Sequence, residues 1–145
     1  MSDKALIKGR RRARKIAVQA LYQQHISLTP LSDITAEFRA IHHDSKTDFE
    51  YFMRLIQGVH EQQEMIDETF KPFLDREIDA LNPIELVVIR LGTFELLEVR
   101  ETPYRVILDE AITLTKTFGA QDGHKYVNGI LHALAKTLRS AEIKG

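Results

Sequence analysis

Cysteine is absent from all 145 residues, which excludes disulfides, thiolate zinc sites and a cysteine nucleophile, and fits a reducing intracellular setting. No apolar stretch approaches the roughly 20 residues needed to cross a bilayer. No secretory signal is readable either, since Leu6 and Ile7 are soon followed by arginines. The expected location is the cytoplasm. Sustained β alternation and internal repeats are also missing. The glycines form no phosphate loop: Gly119, Ala120, Gln121, Asp122 and Gly123 lack the Gly-Lys-Ser/Thr ending and suit helix capping and a turn. A content of 43% hydrophobic and 28% charged residues is enough for one good core, so residues 1–145 are expected to form a single domain.

What is present is an uneven distribution of charge. The first fifteen residues hold seven cations against one acid, a net +6, and the remainder holds thirteen against twenty, a net −7. Five of the seven cations are Arg10, Arg11, Arg12, Arg14 and Lys15. A basic tip on an acidic body points to a polyanion, either nucleic acid or an anionic membrane surface. The tip feeds into a stripe of Ile16, Ala17, Ala20 and Leu21 at helical spacing, which predicts a helix beginning near Arg10. Positive charge at a helix N-terminus opposes the macrodipole by about 0.3–1 kcal/mol per badly placed charge. Residues kept at such a cost are candidates for binding something.

Further along, the residue before Pro30 is driven from helical geometry, so the first helix ends near Leu28 and Thr29. A short helix is expected over Ser32 to Ile41. Thr47 or Asp48 can cap a third, carrying Phe49, Phe52, Met53, Ile56 and Val59, whose pattern resumes through Met65, Ile66 and Phe70 until Pro72. Asn82, Pro83 and Glu85 form the clearest start signal, with a capping Asn, Pro at the first helical position and a Glu able to reach back to the cap amide. The apolar helix that follows, from Ile84 to about Val99, should be the buried centre. A helix from Thr102 and Pro103 to about Phe118 should close on Gly119 in a left-handed cap, and Asp122 should cap a last helix through Leu138. The expectation is an all-α fold of about seven helices.

Catalytic patterns are sparse. His60, Glu61 and Glu64 approach the zinc-protease helix but put Glu where the second His belongs. His42 and His43 are adjacent and diverge, and His124 and His132 are two turns apart. Asp67, Glu68, Asp75, Glu77 and Asp79 have no recognisable partner base and read as solvated helix faces. One cluster differs: His124, Lys125, Tyr126 and Asn128 combine cation, ring and amide in the first turns of the last helix. Single-stranded RNA is commonly held by such mixtures. Burial of Tyr126 in the core, with Lys125 in solvent, accounts for the same residues.

Arg10 through Tyr22, Leu81 through Glu85 with Arg90, Leu91 and Gly92, Pro103 through Val106, and Lys116 through Leu131 follow in an order that resembles the NusB family of bacterial transcription antitermination factors. The blocks span nearly the whole chain. Two positions depart from the family pattern: Lys15 stands where an acid is usual, and Tyr126 where Phe is usual. The resemblance implies two small helical bundles, roughly 8–74 and 75–140, and a protein that is not an enzyme and needs no cofactor. It implies pairing with a small-subunit ribosomal protein, NusE. Together the pair would bind boxA RNA and join the RNA polymerase elongation complex with other Nus factors, notably on ribosomal RNA operons. By residue match, Arg10, Arg11, Arg12 and Arg14, extended by Lys15, correspond to an arginine-rich RNA contact, and Asp122, Lys125 and Tyr126 to a second patch, to which Asn128 is adjacent. Glu85 falls in the region resembling the ribosomal-protein interface, although its capping role explains it equally well.

The expected division of labour gives phosphate attraction to the arginines and base contacts to Tyr126, Lys125 and Asn128. Four neutralised phosphates would give log K a slope near −3 against log salt, at about −0.7 per phosphate on single strands. Competing readings are a generic RNA-binding module for ribosomal RNA processing or modification, an appendage of an RNA methyltransferase, for which the chain leaves no catalytic domain, and a membrane-surface helix, for which the stripe is too modest. An exposed helix face awaiting a partner would also suit a homodimer.

Overall fold

The computed structural model describes residues 3–43 and 45–144, and across them the chain is all-helical, with no strand. It divides into two compact units, one up to His60 and one from Glu61 onward.

The first unit holds α1 (Asp3–Ser27), α2 (Leu31–Ile41) and nearly all of α3 (Phe49–Glu61). Helix α1 starts about two turns earlier than its apolar stripe predicts. The arginine run therefore lies in the body of the helix, with Asp3 in the first turn, and the expected dipole penalty does not apply to it. The helix ends where Pro30 requires, through Leu28 in a left-handed conformation at φ 59°. Ala13, Ile16, Ala17, Ala20 and Leu21 are buried on α1, Ile34 and Phe38 on α2, and Phe52, Leu55, Ile56 and Val59 on α3. The Phe38 and Phe52 rings lie 6.4 Å apart. Of the two capping candidates for α3, Asp48 is used: its Oδ1 accepts from the Tyr51 amide at 2.9 Å.

The second unit holds α4 (Gln63–Phe70), α5 (Pro83–Glu98), α6 (Tyr104–Phe118), α7 (Gly123–Leu138) and α8 (Ser140–Lys144). Pro72 stops α4 as expected, leaving a single 3-10 turn over Lys71–Phe73. Helix α5 is the centre, buried on every side from Leu86 to Leu96, with α4, α6 and α7 packed around it. Asn82 Oδ1 accepts from the amides of Ile84 at 2.9 Å and Glu85 at 3.3 Å, so the start signal works as read. Two capping expectations need correction. Gly119 is extended, at φ −95° and ψ −178°, rather than left-handed. Asp122 occupies the cap position of α7 but makes no side-chain cap bond; its backbone takes the left-handed conformation instead, at φ 66°.

Buried polar groups carry much of this unit. Asp67, expected on a solvated face, is half-buried and receives both Arg90 Nε and Nη2 at 2.9 Å, a bidentate bridge between α4 and α5. Gly92 lets α7 approach α5: a Cβ there would stand 2.7 Å from Leu131 Cδ1, inside the packed core. Gly92→Ala should therefore destabilise the fold by about 1–3 kcal/mol through overpacking. An unchanged urea midpoint would mean Leu131 can turn aside without loss.

Candidate nucleic-acid interface

The arginine run divides by helical phase. Arg10 and Arg14, one turn apart, face inward toward Tyr51 of α3: their guanidinium carbons stand 4.2 and 5.5 Å from its ring centroid, and Arg54 approaches the same ring at 5.9 Å. Arg14 is only 3% exposed and Tyr51 is buried, so Arg14 belongs to the packing of the first unit and stands outside the exposed basic set. Arg10 is half-buried. Arg11, Arg12 and Lys15 are exposed. Arg11 and Lys15 share one face by their spacing, and Arg12 continues a face that begins at Lys4 and Lys8. An exposed guanidinium or ammonium on such a face can meet a phosphate oxygen, and the guanidinium can do so with two parallel bonds.

The second patch lies at the start of α7. Lys125 Nζ stands 3.4 Å from Asp122 Oδ1, with both side chains mostly in solvent, an ion pair of little energetic weight. Tyr126 is half-buried, and its hydroxyl donates to Asp75 Oδ1 at 3.0 Å. Asp75 also accepts from its neighbour Arg76, at 2.7 Å from Nε and 3.1 Å from Nη2, and the Arg76 guanidinium lies 4.8 Å from the Tyr126 ring centroid. The ring is thus fixed at its hydroxyl and covered on one side by a cation. The bonds from Arg76 and then from Tyr126 hold the Asp75 carboxyl down to about 2, and the same Arg76 bond raises the guanidinium. Burial pushes the Tyr126 hydroxyl up, and its donation to Asp75 adds to that.

Asn128 is half-buried and shares its face with His124 and Lys125 by spacing, not with Tyr126, two residues away. Glu85 does not reach back to the Asn82 amide. Its carboxylate turns to the first residue of α7, where a Cβ on Gly123 would lie 3.0 Å from Oε2, and burial raises its pKa against a smaller opposing pull from Arg76.

Sequence reasoning missed Asp75 and Arg76 because they are some fifty residues from Tyr126. The one available hint was the hydroxyl itself, which a tyrosine in a phenylalanine position brings to a half-buried site that must satisfy it. Among the described residues no three His, Asp or Glu groups gather to hold a metal, and no helix is long and apolar enough to cross a membrane. The arrangement offers phosphate contacts from exposed cations and a rigid ring beside a guanidinium plane, which are means of binding nucleic acid.

Comparison with known proteins agrees with that chemistry. The NusB family model matches residues 11–136. The transcription antitermination protein NusB of Legionella pneumophila (strain Corby) is 54% identical over 141 residues, covering 97% of this chain and 96% of its own. The structure of T. maritima NusB superposes with a TM-score of 0.79 at 33% identity, covering 88% of this chain and 91% of that one. A structure of the antitermination factors NusB and NusE in complex with double-stranded RNA shares the fold, with a TM-score of 0.77 at 24% identity over 89% of this chain and 97% of that chain. By the extent of the family match and the identity to its relatives, the chain belongs to the NusB family.

Proposed function

We propose that this chain is a transcription antitermination factor that binds boxA-type single-stranded RNA together with the small-subunit ribosomal protein NusE. In that role it joins the RNA polymerase elongation complex with other Nus factors in the bacterial cytoplasm, notably on ribosomal RNA operons. It works by binding and performs no catalysis. The observation that carries this reading is the 54% identity, over 97% of the chain, to a protein named for antitermination. The exposed Arg11, Arg12 and Lys15 and the Tyr126 patch support it chemically. NusE and boxA enter through the family resemblance.

The physical need for a partner follows from charge. A net −1 for the whole chain leaves little long-range attraction for RNA, so a basic protein that extends the contact surface would add phosphate contacts and raise affinity. The test is a gel shift with a short boxA RNA and a scrambled control, with and without NusE. The boxA RNA should be retained preferentially, and more strongly with NusE present. Equal retention of both RNAs would reduce the function to non-specific RNA binding.

A further inference from the structure

Lys4, Lys8 and Arg12 recur at every fourth residue of α1 and so share one face. Lys46, from the segment between α2 and α3, comes to the same place. These four residues and Ala5 line a cleft of about 290 Å³, and among the described residues no carboxylate takes part in it. Among the described residues, none of the four forms an ion pair.

The convergence is built into the backbone. The Asp48 amide donates to the Gly9 carbonyl of α1 at 3.1 Å, which pins the segment that carries Lys46 against the helix. A Cβ at Gly9 would stand 3.3 Å from Asp48 Cβ and 3.4 Å from the Lys46 carbonyl, so a side chain there would press the segment outward by a few tenths of an ångström. Gly9 is buried in the middle of the basic stretch, beneath that segment. Like charges at this helical spacing repel one another, and a fourth from a separate segment adds to the repulsion. Among the described residues no acidic side chain pairs with these cations to offset that cost. A polyanion would.

We propose that the Lys4, Lys8, Arg12 and Lys46 cleft is a second phosphate-binding site, which holds the backbone of single-stranded RNA flanking the part read elsewhere on the protein. The proposal rests on the RNA-binding reading above and adds to it a path along the first turns of α1. Lysines suit the role: flexible point charges follow a sugar-phosphate chain without selecting its bases. Lys4 to Arg12 spans about 12 Å at ~1.5 Å per residue, room for more than one phosphate. The cleft therefore raises affinity for RNA of any sequence and leaves the preference for boxA unchanged.

The test uses the full-length protein with NusE, titrated over 50–200 mM salt with boxA RNA carrying flanking nucleotides and with its scrambled control. The variant Lys4→Gln/Lys8→Gln/Lys46→Gln should bind both RNAs more weakly. Its salt slope should be shallower by about 2, at ~0.7 per lost phosphate contact, so that its deficit against wild type shrinks about 20-fold between 50 and 200 mM. The charge-preserving Lys4→Arg/Lys8→Arg/Lys46→Arg variant should keep the wild-type slope, which a purely structural role for the lysines would not require. If wild type prefers boxA and the Gln variant has the same slope, the cleft is not on the RNA path and the functional reading stands. If wild type binds neither RNA, the functional reading itself falls and this one with it. If the Gln variant keeps RNA binding but loses binding to phosphatidylserine vesicles, the cleft takes lipid headgroups and the proposal is overturned.

Discussion

Arg139→Ala should destabilise the second unit by about 3–5 kcal/mol, the largest loss expected of any single side chain outside the apolar core. Arg139 is 4% exposed and follows directly on α7. Its guanidinium donates to Leu96 O at 2.8 Å, Val99 O at 2.9 Å, Glu95 O at 3.1 Å and Thr102 O at 3.0 Å. Those carbonyls lie in the last turn of α5 and in the turn that follows; Glu95 O and Val99 O also accept from the Val99 and Thr102 amides, at 3.0 and 3.2 Å, while Leu96 O and Thr102 O rely on the guanidinium. The cation also sits at the negative end of the helix dipole. Truncation removes all the guanidinium donors at once, strands Leu96 O and Thr102 O, and opens a cavity where the side chain was buried. A melting temperature lower by about 6–20 °C is expected, from roughly 2–4 °C per kcal/mol in chains of this size. Arg139→Lys should recover part of the loss only, because a single ammonium cannot reproduce the planar fork. A melting temperature for the Ala variant within about 2 °C of wild type would mean water replaces the guanidinium at no cost.

The same residue anchors the C-terminal end. Arg139 Nη1 reaches Glu142 Oε2 at 2.9 Å, and Glu142 Oε1 accepts from the Tyr104 amide at 3.0 Å, at the first turn of α6. Partial burial raises the Glu142 pKa, but the Tyr104 amide and Arg139 outweigh it and leave the carboxyl lower than usual. The bonds to the ionised form are thus fully present above the ordinary Glu range and fade as pH falls below it.

The contrast between Asn82 and Arg139 shows what sequence makes visible. Asn82, Pro83 and the apolar run after them are contiguous, so the cap and the buried α5 could both be read, as could the stop at Pro72. Arg139 acts on residues some forty positions earlier, and nothing near it announces that. Arg90 and Asp67 are hidden for the same reason: neither looks different from a solvated charge until α4 packs on α5. The early start of α1 escaped notice because its first two turns bury only Gly9 and show no apolar stripe. Within the candidate interface, the basic character of α1 was legible, whereas the inward turn of Arg10 and Arg14 depends on where α3 places Tyr51.

Tyr126→Ala should weaken binding of boxA RNA about 5- to 150-fold, the effect of losing about 1–3 kcal/mol of base stacking, and should leave the salt slope unchanged because no charge is removed. Tyr126→Phe separates the ring from its anchor. It keeps the stacking surface and gives up only the hydroxyl bond to Asp75, so its affinity should stay within a few-fold of wild type. Asp75→Asn acts in the opposite direction. The carboxylate, ionised down to about pH 2, holds Arg76 with two bonds and cancels its charge beside the ring. Neutralising it releases a guanidinium next to Tyr126 to meet phosphate, so affinity should rise and the slope should steepen by about 0.7, one additional phosphate contact. That gain should disappear in the Asp75→Asn/Arg76→Ala double variant, because it depends on the cation that Asp75 restrains. If Tyr126→Ala binds normally while remaining folded, the ring serves packing alone, and the contacts that choose the RNA sequence lie elsewhere on the protein.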